Sequence, residues 1–218
     1  MDIGVCVASH VGDIDYVVRA EELGYSHAWL ADSQMLWSDC YAALALVADR
    51  TSTINIGTGV SVSGTRPAPV TAASIATINA LAPGRTFLGL GTGNTAMRIM
   101  GHKPQRIAEF DQYLEAIKPL LKGEEAEHSF GGHVSPIRHI MPDKGFVNFE
   151  DPIPLYVSGF GPKSLALAGK HADGAVLSIP PDTQAMDRTW EMIERGAAEA
   201  GRELDRENYL TCSLTTIV

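Results

Sequence analysis

Between Ile54 and Gly93 the chain reads INIGTGVSVSGTRPAPVTAASIATINALAPGRTFLGLGTG. An apolar run ends in Gly57-Thr58-Gly59-Val60, a helical segment follows and closes at Ala82-Pro83-Gly84-Arg85, and a second apolar run ends in Gly89-Leu90-Gly91-Thr92-Gly93. Strand, helix and strand in this order form a parallel crossover unit. Glycine allows a backbone to approach a ligand closely, and ligands of parallel α/β folds bind beyond the carboxyl ends of the strands. Both glycine clusters are therefore expected to line one site.

The same rhythm extends in both directions. Strands are predicted over Ile3 to Ser9, Ser26 to Ala31, Thr53 to Val60, Arg85 to Gly91, Pro154 to Ser158, Gly174 to Ser178 and Tyr209 to Val218. Helices are predicted over Ile14 to Leu23 with Asp13 as cap, Asp39 to Arg50, Pro67 to Ala82, Gln105 to Leu121, Pro162 to His171 and Asp182 to Ala200. Alternating strands and helices imply a parallel sheet. Glycine-rich ends recur after the third, fourth and fifth strands, which favours a (β/α)8 TIM barrel over a dinucleotide-binding sheet. That barrel usually takes about 250 residues. A single domain of 218 residues with seven strands is thus expected to be an incomplete barrel. Residues 122–152 break the pattern and are expected to be an insertion between the fourth helix and fifth strand. It is expected to form a hairpin of Glu127 to Phe130 with Gly145 to Phe149 and to orient substrate.

A net charge of −9 argues against a nucleic-acid partner. No run approaches the roughly 18 apolar residues of a membrane span, and the opening residues lack the pattern of a secretory signal, so none is expected. Cys6, Cys40 and Cys212 form no C-x-x-C pair, so neither zinc nor a disulfide framework is indicated. A reducing cytoplasm fits this usage.

Several residues carry possible chemistry. Gly91-Thr92-Gly93-Asn94 lies at a strand-to-helix turn whose N–H groups and hydroxyl suit a phosphate or the edge of a flavin-like ring, or form a plain tight turn. Ser158-Gly159-Phe160-Gly161-Pro162-Lys163-Ser164 leads into a helix whose dipole favours an anion, or forms a plain turn. His10 and Asp32 follow the first two strands; each is a proton-transfer candidate or a turn residue. Trp37 stacks on a ring system or fills its loop. Asp173 is expected to be structural, and His128, His133 and His139 lack metal-ligand spacing.

GTGV at Gly57 to Val60, APGRTFLGLGTG at Ala82 to Gly93 and LYVSGFGPKSLALAGKHADGAV at Leu155 to Val176 resemble the bacterial luciferase-like superfamily of flavin and deazaflavin oxidoreductases. The resemblance is nearest to the branch using the deazaflavin coenzyme F420, which includes methylenetetrahydromethanopterin reductase and sugar-phosphate dehydrogenases. It implies a non-prolyl cis peptide at Gly59-Val60, in a bulge behind the cofactor ring. It also implies that Thr92, Gly93 and Asn94 meet the cofactor's ribityl and phosphate portion, and that Ser158, Gly159, Phe160, Gly161 and Pro162 form a second cofactor turn. Asp32 and Trp37 match an aspartate and a tryptophan near the redox face. Where the sugar-phosphate dehydrogenases carry a histidine and a glutamate, this chain has Ser33 and Asn94, so that activity is not expected.

The resemblance thus implies a homodimeric oxidoreductase passing a hydride between F420 and a small organic substrate, with His10 or Asp32 as proton partner. An FMN-dependent monooxygenase supplied by a partner flavin reductase is the second expectation. A non-catalytic flavin-binding or scaffold protein is the third.

Overall fold

The computed structural model describes residues 2–178 and 182–213. Its elements in chain order are β1 (Gly4–Ala8), α1 (Asp15–Glu22), β2 (His27–Ala31), α2 (Cys40–Arg50), β3 (Asn55–Thr58), β4 (Ser61–Val62), α3 (Ala68–Leu81) and β5 (Thr86–Gly91). Next come α4 (Thr95–Ile99), α5 (Ile107–Leu120), β6 (Ala126–Phe130), β7 (His133–Ile137), a 3-10 turn (Pro142–Lys144), β8 (Leu155–Ser158), α6 (Pro162–His171), β9 (Gly174–Leu177), α7 (Thr183–Glu199) and β10 (Leu210–Ser213). The main sheet runs β1-β2-β3-β5-β8-β9-β10, with β4 also paired to β5. Every pairing in it is parallel.

The sheet curls into a half-barrel with helices outside, as expected, and all its strands point their carboxyl ends to one end, hereafter the upper end. The expected seventh strand begins at β10, and its part beyond Ser213 lies outside the described residues.

Period-2 alternation divides each strand between two cores. Ala28 and Leu30 of β2, Leu88 and Leu90 of β5, and Leu155 and Val157 of β8 face the helices and join the large cluster that includes Leu44, Ile75, Phe110 and Ile117. The alternate residues Trp29, Phe87, Tyr156 and Val176 form a separate inner cluster, with Val60 and Cys212 against it. Trp29 and Phe87 stand on strands that flank β3, yet their ring centroids are 4.3 Å apart. Gly57 lies between them in register, and a Cβ there would come within 2.3 Å of Phe87. The missing side chain lets the two rings meet.

Asp39, expected as the first residue of the helix, instead caps α2, its Oδ1 accepting from the N–H groups of Tyr41 and Ala42 at 3.0 Å each. Asp13 does not cap α1. Ile14 holds that position without a side-chain bond, and the Asp13 N–H donates to the His10 carbonyl.

Residues 122–152 differ from expectation in pairing and in place. β6 pairs with β7, because Gly131 and Gly132, with φ of 60° and 83°, reverse the chain immediately after Phe130. Residues 145–149 form no strand. Asn79, near the end of α3, anchors them instead: its Nδ2 donates to the carbonyls of Asn148 and Asp151 at 3.0 Å each. Helices run antiparallel to the strands, so the end of α3 and the start of β8 lie at the lower end. The segment is thereby removed from the glycine-rich strand ends, which corrects the expectation that it orients substrate there.

Candidate active site

At the upper end β3 carries one residue more than β5. Gly57 faces Phe87 and Ser61 faces Leu90, so four steps along one chain match three along the other, which defines a β-bulge. The Gly59-Val60 peptide within it is cis, the geometry the resemblance implied. Thr58 bridges the gap in the ladder: its Oγ1 donates to the Gly89 carbonyl at 2.7 Å and accepts from the Gly89 N–H at 3.1 Å. The Gly59 N–H donates to the Leu30 carbonyl at 2.7 Å.

The bulge projects Val60 over the glycines of β5. A Cβ on Gly91 would lie 3.0 Å from Val60 Cγ2 and 3.6 Å from Ser158 Cβ, and one on Gly93 would lie 2.3 Å from Val62 Cγ1. The two glycine clusters that organise the sequence therefore do meet, and Ser158 joins them. The Thr92 hydroxyl has no hydrogen-bond partner among the described residues, whereas the Thr92 carbonyl accepts from the Gln105 N–H at 3.1 Å. Asn94 is exposed, and its Oδ1 accepts from Arg98 Nε at 2.6 Å.

The turn after β8 is held by Ser164, whose Oγ donates to the Gly161 carbonyl at 3.0 Å and accepts from its N–H at 3.3 Å. Gly159 is buried, Phe160 is 71% exposed, and Pro162 opens α6. Among the described residues, the N–H groups of Lys163 and Ser164 have no acceptor, as befits the first turn of a helix.

Asp32 is buried. Its Oδ2 accepts from Ser61 Oγ at 3.1 Å, the Val62 N–H at 3.3 Å and Arg66 Nη1 at 2.5 Å. Arg66 Nη2 reaches Asp39 Oδ2 at 2.7 Å, and its guanidinium lies 4.9 Å from the centre of the Tyr41 ring. Tyr41 and Ser61 share a hydrogen bond of 3.0 Å. Burial works to raise the Asp39 carboxyl, but the hydrogen bonds from the Ala42 N–H and Arg66 outweigh it and hold the group below its ordinary value. Sequence reasoning missed Arg66 and Ser61. The signal was present, since a lone arginine in the Gly64-Thr65-Arg66-Pro67 link lies one crossover from Asp32.

His10 and Trp37 face another space. With Ser9, Asp13, Tyr16 and Leu36 they line a cavity of about 600 Å3 beside the upper end of β1. The loops are clamped together, for the Ser38 N–H donates to the Ser9 carbonyl at 3.0 Å and the Val11 N–H to Ser38 Oγ at 3.3 Å. The structure thus groups His10 with Trp37, and Asp32 with the bulge.

Asp173 is structural, its Oδ2 accepting from the Leu155 N–H at 2.9 Å. His128 and His133 stand on β6 and β7, and no metal-ligand cluster includes them or His139 among the described residues. Asp111, Glu115 and His171 converge on the helix side, but the Lys170 ammonium already occupies the two carboxylates at 2.9 and 3.0 Å. The three cysteines are free thiols. Among the described residues no helix is long and apolar enough to cross a membrane.

The sequence model of the family described as luciferase-like monooxygenase matches residues 12–218. The 5,10-methylenetetrahydromethanopterin reductase of Methanolobus tindarius is 32% identical over 199 residues, 86% of this chain and 56% of the relative. The F420-dependent hydroxymycolic acid dehydrogenase of Mycobacterium tuberculosis is 32% identical over 203 residues, 87% of this chain and 54% of that protein. The chain spans about half the length of these curated relatives. Among solved structures, the coenzyme F420 dependent tetrahydromethanopterin reductase of Methanopyrus kandleri matches with a TM-score of 0.77 at 24% identity, over 98% of this chain and 65% of that one. A type II Baeyer-Villiger monooxygenase of Pseudomonas putida, in complex with FMN, matches with a TM-score of 0.70 at 20% identity, over 97% of this chain and 66% of that one.

Proposed function

Because the chain belongs to the luciferase-like monooxygenase family, we propose that it serves as an oxidoreductase passing a hydride between coenzyme F420 and a small organic substrate. The observation that carries this reading is the bulge at Gly59-Val60 facing Gly91 and Ser158, a cradle that any side chain on Gly91 would fill. Two of the relatives named above are F420-dependent by name.

The residues present fit such a group. Val60 and Gly91 offer a flat apolar support for a ring. The Thr92 hydroxyl, with Gly93 and Asn94 beside it, suits a ribityl chain. Ser158 and the Gly159-Phe160-Gly161-Pro162 turn, with the unused N–H groups of Lys163 and Ser164, suit a phosphate at the start of α6. When bound, the deazaflavin supplies the hydride donor or acceptor carbon. Trp37 contributes an apolar wall for substrate. The substrate is taken to bridge the bulge and the neighbouring cavity that exposed His10 lines with Trp37, where His10 holds or releases the proton that accompanies hydride transfer. Asp32, with Oδ2 committed to three donors, keeps the bulge in place.

Titration of the protein with F420 and with FMN, followed by cofactor fluorescence, tests the reading. Tight F420 binding is expected. FMN binding without F420 binding would replace it with the second reading, an FMN-dependent monooxygenase served by a flavin reductase, which the FMN-containing neighbour favours. A homodimer in the cytoplasm completes the proposal. Exposed Leu46, Val70 and Leu81 on α2 and α3 support self-association, and sedimentation analysis checks it.

A further inference from the structure

We propose that Arg66 is a positioning residue that fixes two walls of the upper end, the bulge and the 32–39 loop, relative to each other. This rests on the reading above for its functional consequence only.

Arg66 lies in the link between β4 and α3 and is mostly buried, with its side chain 17% exposed. One arm of its guanidinium binds Asp32, and Asp32 in turn binds Ser61 and Val62 of the bulge. The other arm binds Asp39, whose second oxygen starts α2. Asp32 and Asp39 bracket the loop that bears Trp37. The loop's own internal bonds, from the N–H groups of Leu36 and Trp37 to the Ser33 carbonyl, form a single turn that does not tie it to the bulge. Gln34 Nε2 links it to α4 through the Ala96 carbonyl at 3.2 Å. The direct tie between loop and bulge runs through Asp32 and Arg66. Tyr41 seals the arrangement from below, its ring under the guanidinium and its hydroxyl on Ser61.

A planar fork is needed for this task. Lysine supplies the same charge at one point and does not span two carboxylates in fixed geometry. Arg66→Lys therefore separates positioning from charge neutralisation. Its test uses the cofactor-free protein first. Hydrogen exchange is expected to accelerate at residues 32–39 and 59–66, while α5, α6 and α7 exchange as in the wild type. F420 affinity, measured by fluorescence, is expected to fall on the order of tenfold to a hundredfold, the scale of a displaced binding group. Asp39→Asn is the companion variant, at an exposed carboxylate. It should loosen 32–39 and leave 59–66 protected through the surviving Asp32 pair.

Unchanged exchange of both segments in Arg66→Lys overturns the inference. So does acceleration spread evenly over all helices with a lowered unfolding midpoint, because Arg66 would then be a stability residue only. Should Arg66→Lys not fold, equal loosening of both segments in Asp39→Asn overturns it as well. If the wild type binds neither F420 nor FMN, the proposed function fails while the exchange result still decides the role of Arg66.

Discussion

At the lower end of the half-barrel Glu21 accepts hydrogen bonds at 2.8, 2.6 and 3.0 Å from the backbone N–H groups of Ser52, Thr53 and Ile54. The Thr53 hydroxyl adds a fourth bond to Glu21 at 3.0 Å, whereas at the upper end Asp32 accepts from a hydroxyl, one N–H and a guanidinium from around the bulge. Glu21 lies near the surface and ties the end of α1 to the start of β3, beside Arg85, which donates to the carbonyls of Thr51 and Ile54. Asp32 is buried and paired with Arg66. The lower end is thus closed with local backbone groups that water can replace. The upper end is held by side chains that must all be present, so that the bulge and the glycines stay open to a ligand.

Asp32→Ala provides the largest expected break in this comparison. It leaves the Arg66 charge half paired and deprives Ser61 and Val62 of their acceptor in a dry site. Breaking a buried pair by removing one partner costs about 3–5 kcal/mol. Urea unfolding measures it, and a loss no greater than that of the lower-end variant below would abolish the distinction between the two ends.

Glu21→Ala is expected to cost less, about 1–3 kcal/mol, since solvent reaches the freed N–H groups. This carboxylate carries a pH signature. Burial works to raise it, but the N–H groups of Ile54, Thr53 and Ser52 prevail and bring it from 4.5 to about 2. The folded value lies below the unfolded one, so the contribution is complete above pH 4.5 and disappears as pH falls through about 2. Unfolding curves of wild type and Glu21→Gln should accordingly converge on acidification through that window. Parallel curves there would show that Glu21 is not the acid-sensitive tie of the lower end.

The strands and helices of the main repeat were legible because most of them end at glycine, proline or a capping side chain, whereas β4, α4 and β7 were not predicted. Asp39 before α2 and Gly91 at the end of β5 behave in the structure as their residue types suggest. The meeting of Gly91, Val60 and Ser158 also followed from parallel order, since strand ends that share a direction share an end of the sheet. Two things were harder to see. Gly131-Gly132 is a hairpin turn that local sequence displays, yet the distant pairing of Glu127 to Phe130 with Gly145 to Phe149 obscured it. The place of residues 122–152 follows from topology, because a helix-to-strand link begins and ends at the lower end. Arg66 was missed for another reason. An arginine's role depends on which carboxylates the fold brings to it, and Asp32 and Asp39 are 34 and 27 residues away.

Gly91→Ala is the smallest expected change in stability and the sharpest probe of what the upper end is for. Its new Cβ would stand 3.0 Å from a methyl group of Val60 and 3.6 Å from Ser158. A shift of a few tenths of an ångström by Val60 relieves the contact, so the cost should stay below the 1–3 kcal/mol or so of a true overpacking. By contrast, Gly57→Ala would set a Cβ 2.3 Å from the Phe87 carbonyl oxygen, where backbone cannot yield, and should reach that range. The two alanines add the same methyl to the inner surface of neighbouring strands, one under the aromatic cluster and one under the bulge. If the upper end is a ligand cradle, Gly91→Ala lowers F420 affinity while its unfolding midpoint stays near the wild type. Thermal unfolding with and without cofactor separates the two effects: the shift that F420 adds to the wild-type midpoint should shrink in Gly91→Ala. Full retention of that shift would mean that no ring rests between Val60 and Gly91, and that the bulge holds the sheet together rather than a cofactor.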